Sequence, residues 1–215
     1  MESESADAIG VRSEPLIVFD VGAHTGTTIN AFRDMIPQAT IHAFEPGPLA
    51  FESLEKHYRS AKDVFLNKIA VGDVCGTKTF FENTSLVMSS FLPLGPDGWG
   101  KVDREIPVDV TTLDSYCKEN QIPRVSVLKI DTQGFDLAVL RGCQDLLASN
   151  KIQLILMEIT FIEIYSGIPP FDEIFRFLTN RGFRLVSFYK FHYKDGLAGW
   201  TDALFINSNY GNRGI

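Results

Sequence analysis

Four acids in this 215-residue chain each close a short apolar run. Asp20 follows Leu16-Ile17-Val18-Phe19, Glu45 follows Ile41-His42-Ala43-Phe44, Asp131 follows Val127-Leu128-Lys129-Ile130, and Glu158 follows Leu154-Ile155-Leu156-Met157. Such runs read as strands of a parallel sheet buried on both faces. In an open α/β sheet the ligand binds outside the carboxyl ends of the strands. Four carboxylates on that rim would face a cationic ligand. Asp131 and Glu158 end adjacent strands, so their carboxylates can converge. A convergent pair shares one proton, which lifts one carboxyl towards the working range of a base. The same oxygens also suit Mg²⁺ or Ca²⁺, with Asp131 and Glu158 as the metal ligands. Spacing does not separate the two, and the base reading is placed ahead.

The turn after Asp20 narrows the ligand. Gly22-Ala23-His24-Thr25-Gly26 is a glycine turn that leads into a helix-like segment, since glycine permits the tight strand-to-helix turn. The dinucleotide fingerprint G-x-G-x-x-G rests a pyrophosphate on the helix N-terminus. Here His24 stands at its second glycine. An Asp20 carboxylate pointing into the pocket would repel a pyrophosphate and attract an ammonium group. S-adenosylmethionine (SAM) carries an ammonium and a sulfonium and no phosphate. The turn is therefore expected to bind SAM through Asp20, Gly22, Ala23, His24 and Gly26, with Glu45 accepting from ribose hydroxyls. A nicotinamide-dependent oxidoreductase is the second reading, and a non-catalytic SAM-binding module the third. In methyl transfer to a hydroxyl, the acceptor proton must go to a nearby carboxylate, to a histidine or to solvent. Asp131 and Glu158 are the candidates. His24 can face either cofactor or acceptor. Lys129 in a central strand is costly unless paired, so it is expected beside a carboxylate, as a site residue or a support for Asp131.

The elements that position these groups alternate between strand and helix. A strand over 16–20 leads to a helix over 27–35. A strand over 40–44, a Pro-Gly turn and a helix over 49–59 follow, then a strand over 64–71. Strands over 77–81 and 106–110 flank a Ser/Pro/Gly-rich loop, 83–104, whose length suits a lid or binding loop. Its Ser89, Ser90 and Trp99 are candidates for acceptor contact. A helix over 111–119 has Thr111 or Thr112 as N-cap. Then come a strand over 125–130, a helix over 135–147 opened by Gly134, a strand over 152–157 and a helix over 171–180 ended by Gly182. Segments 184–189 and 202–206 read as a closing antiparallel pair. His42 and His57 read as structural and solvated. The aromatic stretch 188–193, with His192, reads as edge packing ahead of an acceptor pocket. This alternation predicts one α/β Rossmann-like domain over 15–215, mostly parallel, with helices on both faces, preceded by a flexible arm over 1–14.

Composition limits the partners. Hydrophobic content of 45% and charged content of 22% suit a globular domain, and a net charge of −7 argues against a general nucleic-acid surface. No apolar run approaches the roughly 20 residues of a membrane helix. Cys75, Cys117 and Cys143 are too widely spaced for a disulfide framework or zinc motif. Reduced thiols and an acidic N-terminus predict a cytoplasmic protein.

The segment Val127-Leu128-Lys129-Ile130-Asp131-Thr132-Gln133-Gly134-Phe135-Asp136-Leu137-Ala138-Val139-Leu140-Arg141-Gly142 resembles the K-I-D-x-E-G-x-E-x-x-V-L-x-G signature of FkbM-type methyltransferases. Collinear blocks extend the likeness: Phe19-Asp20-Val21-Gly22-Ala23, Phe44-Glu45-Pro46, Ala70-Val71-Gly72-Asp73, Ser89-Ser90, Val110-Thr111-Thr112-Leu113-Asp114 and Met157-Glu158-Ile159. The resemblance implies a class I SAM-dependent methyltransferase domain with a seven-stranded sheet of order 3-2-1-4-5-7-6. It adds Pro46, Ala70 and Asp131 to the cofactor residues. It implies O-methylation of a hydroxyl on a sugar or natural-product small molecule. Gln133 and Asp136 stand where the signature has Glu, and Gln133 cannot serve as a base.

Overall fold

The computed structural model describes residues 16–209; the arm expected over 1–14 lies outside them. The chain runs β1 (Ile17–Val21), α1 (Thr27–Met35), β2 (Thr40–Phe44), α2 (Pro48–Tyr58), β3 (Val64–Asn67), β4 (Ala70–Val71) and β5 (Gly76–Asn83). It continues through β6 (Val102–Thr111), α3 (Leu113–Glu119), β7 (Val125–Ile130), α4 (Asp136–Arg141), α5 (Gln144–Ala148) and β8 (Ile152–Thr160). It closes with α6 (Phe171–Thr179), β9 (Phe183–Phe188), β10 (His192–Lys194) and β11 (Leu197–Asn207).

β1 and β7, the two most central strands, are buried at every residue, as continuous apolar runs require. β3, β2, β1, β7 and β8 pair in parallel, and β11 joins β8 antiparallel. This run reproduces the body of the expected order. The edge differs: β9 and β10 both pair with β11, along different parts of it, so the sheet has eight strands rather than seven. Side chains alternate across the sheet. Val18 and Val127 pack on one face with Ile29 and Phe32 of α1 and Leu54 and Tyr58 of α2. Phe19, Leu128 and Ile130 pack on the other with Tyr116, Leu140, Leu147 and Leu178 from α3 to α6. Asp20 and Lys129 share the first of these faces by strand alternation.

Three expected elements are cut differently. The strand expected over 64–71 splits, because Ala70 and Val71 leave the main sheet to pair with Val110 and Thr111 in a separate sheet of order β4-β6-β5. The helix expected over 135–147 breaks at Gly142. A Cβ there would lie 1.9 Å from the Gly72 carbonyl oxygen, and Asp114 accepts from the N–H groups of Asp145 and Leu146 at the start of the second piece. The strand expected to end before Glu158 runs on to Thr160, because β11 pairs with it up to Trp200. The middle loop holds a 3-10 turn, Leu86–Met88, before β6 begins at Val102. Thr112 is the N-cap of α3, accepting from Ser115 N–H at 3.1 Å. Among the described residues no helix is long and apolar enough to cross a membrane.

Candidate active site

At the carboxyl ends of β1, β2 and β7 lies a cleft of about 220 Å³. Its first wall is the turn after β1. Gly22 has φ 79°, and a Cβ there would sit 1.9 Å from the Asp131 carbonyl oxygen. Only glycine lets the turn run this close to the end of β7. His24 is also left-handed, at φ 49°. Its backbone N–H donates to Glu45 Oε2 at 2.8 Å, and Gly47 N–H donates to Glu45 Oε1 at 2.8 Å. Glu45 thereby clamps the turn after β1 to the turn after β2. Burial pushes its carboxyl up to about 7; the two N–H donors and Lys129 pull the other way, and Asp20 adds to the rise. Burial lowers the His24 pKa, with Asp131 and Lys129 acting in opposite senses, so the ring is neutral at pH 7. Its Nε2 is buried and has no hydrogen-bond partner.

The second wall is the end of β7. Lys129 Nζ lies 3.0 Å from Asp20 Oδ1 and 3.6 Å from Asp131 Oδ2, and donates to the Gly22 carbonyl at 2.9 Å. Burial alone would lower its pKa, but the Asp20, Asp131 and Glu158 carboxylates outweigh that and hold it above the usual lysine range. Lys129 is a fixed ammonium at neutral pH, unable to act as a base. Asp20 is fully buried behind it. Burial pushes the Asp20 carboxyl up and the Lys129 ammonium pulls it back. The contact rests on charge, since neither Asp20 oxygen accepts an aligned hydrogen bond. Asp131 reaches the cleft with 37% of its side chain exposed. Gln133 Nε2 donates to Asp131 Oδ1 at 2.8 Å and to Glu158 Oε2 at 3.4 Å. Burial first, then the Asp131, Asp136 and Asp202 charges, push the Glu158 carboxyl well above the carboxylate range, against Lys129. Asp136 accepts from Thr132 N–H, Thr132 Oγ1 and Gly134 N–H, which shapes the loop that carries Asp131 and Gln133.

Most of the residues singled out from the sequence meet here. Gly22, Ala23, His24, Glu45, Pro46, Ala70, Lys129 and Asp131 line the cleft. Three do not. Asp20 lies behind Lys129, so it meets that ammonium rather than a ligand's. Gly26, at φ 92°, caps α1 and is packed by Tyr58, whose ring a Cβ would meet at 2.3 Å. Glu158 sits inside β8 beyond Gln133 and reaches Asp131 only through it. The space a cation shared by Asp131 and Glu158 would take holds the Gln133 amide N–H₂. Among the described residues no group of three or more His, Cys, Asp and Glu side chains is placed to hold a metal ion.

Sequence reasoning misses two parts. By its position in the signature Gln133 is a lost acid, whereas in the fold it is the bridge. The apolar wall of Ile69, Val71, Phe80, Leu86, Val87 and Phe91 comes from β4 and the residue before it, from β5 and from the middle loop. Phe80 and Phe91 hold each other at 5.1 Å; the loop's length is the one signal for them. Ser89 lines the cleft, whereas Ser90 is buried and donates to the Gln133 carbonyl at 2.6 Å. Trp99 packs on Trp200 instead, at 5.9 Å, and His192 stacks on Trp200 at 5.1 Å. Phe188 and Phe191 pack against each other at the sheet edge. His42 is buried against Tyr116 OH at 2.8 Å.

Fold and cleft together define a Rossmann-like α/β domain with a ligand site at the carboxyl ends of its central strands. Among solved structures, fibrillarin of Aeropyrum pernix in complex with natively bound S-adenosyl-L-methionine aligns with a TM-score of 0.50 at 13% identity, over 89% of this chain and 66% of that one. The Methyltransferase FkbM domain matches residues 20–185, and the chain belongs to that family. It is 24% identical to the 2-O-methyltransferase NoeI of Sinorhizobium fredii over 80% of this chain and 73% of that protein. It is 28% identical to the 31-O-demethyl-FK506 methyltransferase FkbM of Streptomyces tacrolimicus over 80% and 74%. It is 26% identical to the hexuronic acid methyltransferase AglP of Haloferax volcanii over 73% and 59%.

Proposed function

We propose that this protein transfers the methyl group of SAM to a hydroxyl of a sugar or natural-product small molecule, as one domain over residues 15–215. The carrying observation is the cleft where the Glu45-clamped turn and the Asp131 carboxylate face one space. The relatives named for a hexuronic acid and for 31-O-demethyl-FK506 support an acceptor of this kind. The residues fit the cofactor. Buried His24 Nε2 lacks a partner in the cleft wall, Glu45 is a buried acceptor for hydroxyls, and Ile69, Phe80 and Phe91 give an apolar face for a purine. When bound, SAM supplies an electrophilic methyl group on a sulfonium sulfur.

The chain's own residues then do three things. Glu45 fixes two turns and receives ribose hydroxyls through its remaining lone pairs. Lys129, neutralised by Asp20, holds Gly22 and Asp131 together without adding free positive charge. Asp131 takes the proton that the acceptor hydroxyl loses as its oxygen gains the methyl group. Free Cys75, Cys117 and Cys143 support a place in the cytoplasm. The test is calorimetric titration with SAM, S-adenosylhomocysteine and NAD, followed by methyl transfer to a panel of sugar acids and polyol natural products. Micromolar SAM binding with label incorporated into a hydroxyl is expected. NAD binding, or no binding of either adenosyl compound at millimolar concentration, would overturn the reading. SAM binding with no transfer to any acceptor would make the chain a binding module.

A further inference from the structure

Gln133 carries the connection between Asp131 and Glu158, and its own placement is fixed twice over. Its backbone is left-handed, at φ 54°, and its carbonyl accepts from Ser90 Oγ at 2.6 Å. Ser90 in turn accepts from Leu92 N–H at 3.0 Å. Its side-chain oxygen accepts from Tyr165 OH at 2.6 Å. Tyr165 is 2% exposed and packs with Met88 and Ile164, its hydroxyl 3.7 Å from Met88 Sδ. Burial, and then the Glu158, Asp131 and Asp136 charges, push the phenol pKa up, so the hydroxyl keeps its proton and donates. An amide whose oxygen is taken by that donor must turn its N–H₂ to the acids. The Asp131 carboxylate is then held at both ends, by Gln133 on Oδ1 and by Lys129 near Oδ2.

We propose that Tyr165 and Gln133 are positioning residues that hold the Asp131 carboxylate in the orientation that receives the acceptor's proton. This rests on the reading of Asp131 as that proton's destination. The amide suits the place because it gives N–H donors to a crowded acidic site and adds no charge. Asp20 on β1, His24 in the turn after it, Lys129 on β7, Asp136 on α4, Glu158 on β8 and Asp202 on β11 are the charged or titratable neighbours that act there. Asp136 is occupied by three donors of its own loop. A glutamate at 133 would add one more negative charge between Asp131 and Glu158, raising the proton affinity of the group.

Tyr165→Phe tests this, because it keeps the packed ring and removes only the hydroxyl. Turnover, acceptor KM, S-adenosylhomocysteine affinity and the pH profile of kcat are compared with wild type. The expected kcat loss is about tenfold, with acceptor KM and S-adenosylhomocysteine affinity within about threefold of wild type. The acidic limb of the profile moves to higher pH, since Asp131 loses a fixed donor to its charged form. Gln133→Glu moves that limb further in the same direction. Unchanged turnover in Tyr165→Phe overturns the proposal. So does a turnover loss with an unmoved pH profile, the result of a merely structural role. If wild type transfers no methyl group, the O-methylation reading fails by itself. The relay is then read from ¹³C NMR titration of the Asp and Glu carboxyls, where Tyr165→Phe must raise at least one of them and an unmoved set overturns it.

Discussion

The two walls of the cleft are held by different means. The wall formed by the turns after β1 and β2 is backbone chemistry: Gly22 at positive φ, N–H groups of His24 and Gly47, and a single carboxylate, Glu45, that joins them. The wall at the end of β7 is side-chain chemistry, a chain from Lys129 through Asp131 and Gln133 to Glu158 and Tyr165. Backbone walls recognise a ligand common to a whole fold, because they depend on strand ends and glycines. Side-chain walls suit the step that varies, because one substitution redirects them. Lys129 belongs to both, since one ammonium holds Gly22, Asp20 and Asp131.

The largest loss is expected at that shared ammonium. Lys129→Met leaves Asp20 buried without a counter-charge, and a loss of about 3–5 kcal/mol in urea denaturation is expected. Asp20→Asn in the same chain should return part of it. Next comes Gly22→Ala, which places a methyl group against the Asp131 carbonyl in a left-handed turn. It should cost roughly 3 kcal/mol and abolish measurable SAM binding. If Gly22→Ala bound SAM normally, the backbone account of that wall would be wrong.

Glu45→Gln is expected to have a smaller effect. Glu45 titrates near 7 in the fold against an ordinary value of 4.5. The folded chain therefore holds its proton more tightly, and the stability it contributes is full below pH 4.5 and lost as the pH rises through about 7. SAM affinity should move the opposite way, rising about fivefold as the carboxylate ionises and accepts hydroxyls better. Both slopes should flatten in Glu45→Gln. The smallest effect is expected from chelation. With Gln133 Nε2 between Asp131 and Glu158, EDTA should leave turnover unchanged within error, and a reversible loss restored by Mg²⁺ would contradict that placement.

The same division governs what the sequence can disclose. The strands leading to Asp20, Glu45 and Asp131 are legible because buried parallel strands leave apolar runs, and the turn is legible because glycine marks positive φ. Gly26 has that mark too, but its φ serves a helix start and Tyr58, which spacing cannot distinguish from a ligand contact. The direction of Asp20 is misjudged from sequence because its partner, Lys129, is distant along the chain. Glu158 falls at an expected strand end because the apolar run stops there, whereas pairing with β11 carries the strand on. Gln133 is invisible as a bridge: its role depends on a left-handed backbone and on Tyr165, and neither leaves a periodic trace. The break at Gly142 comes from a contact with Gly72, again a long-range fact.

The most direct test of the central claim is Asp131→Asn, measured for SAM affinity and for methyl transfer on one acceptor. Asn keeps the size of the side chain and loses its capacity to take a proton. SAM affinity within about threefold of wild type and a kcat reduced about 10²-fold or more are predicted. Full turnover in Asp131→Asn would remove Asp131 from the proton's path and contradict the account.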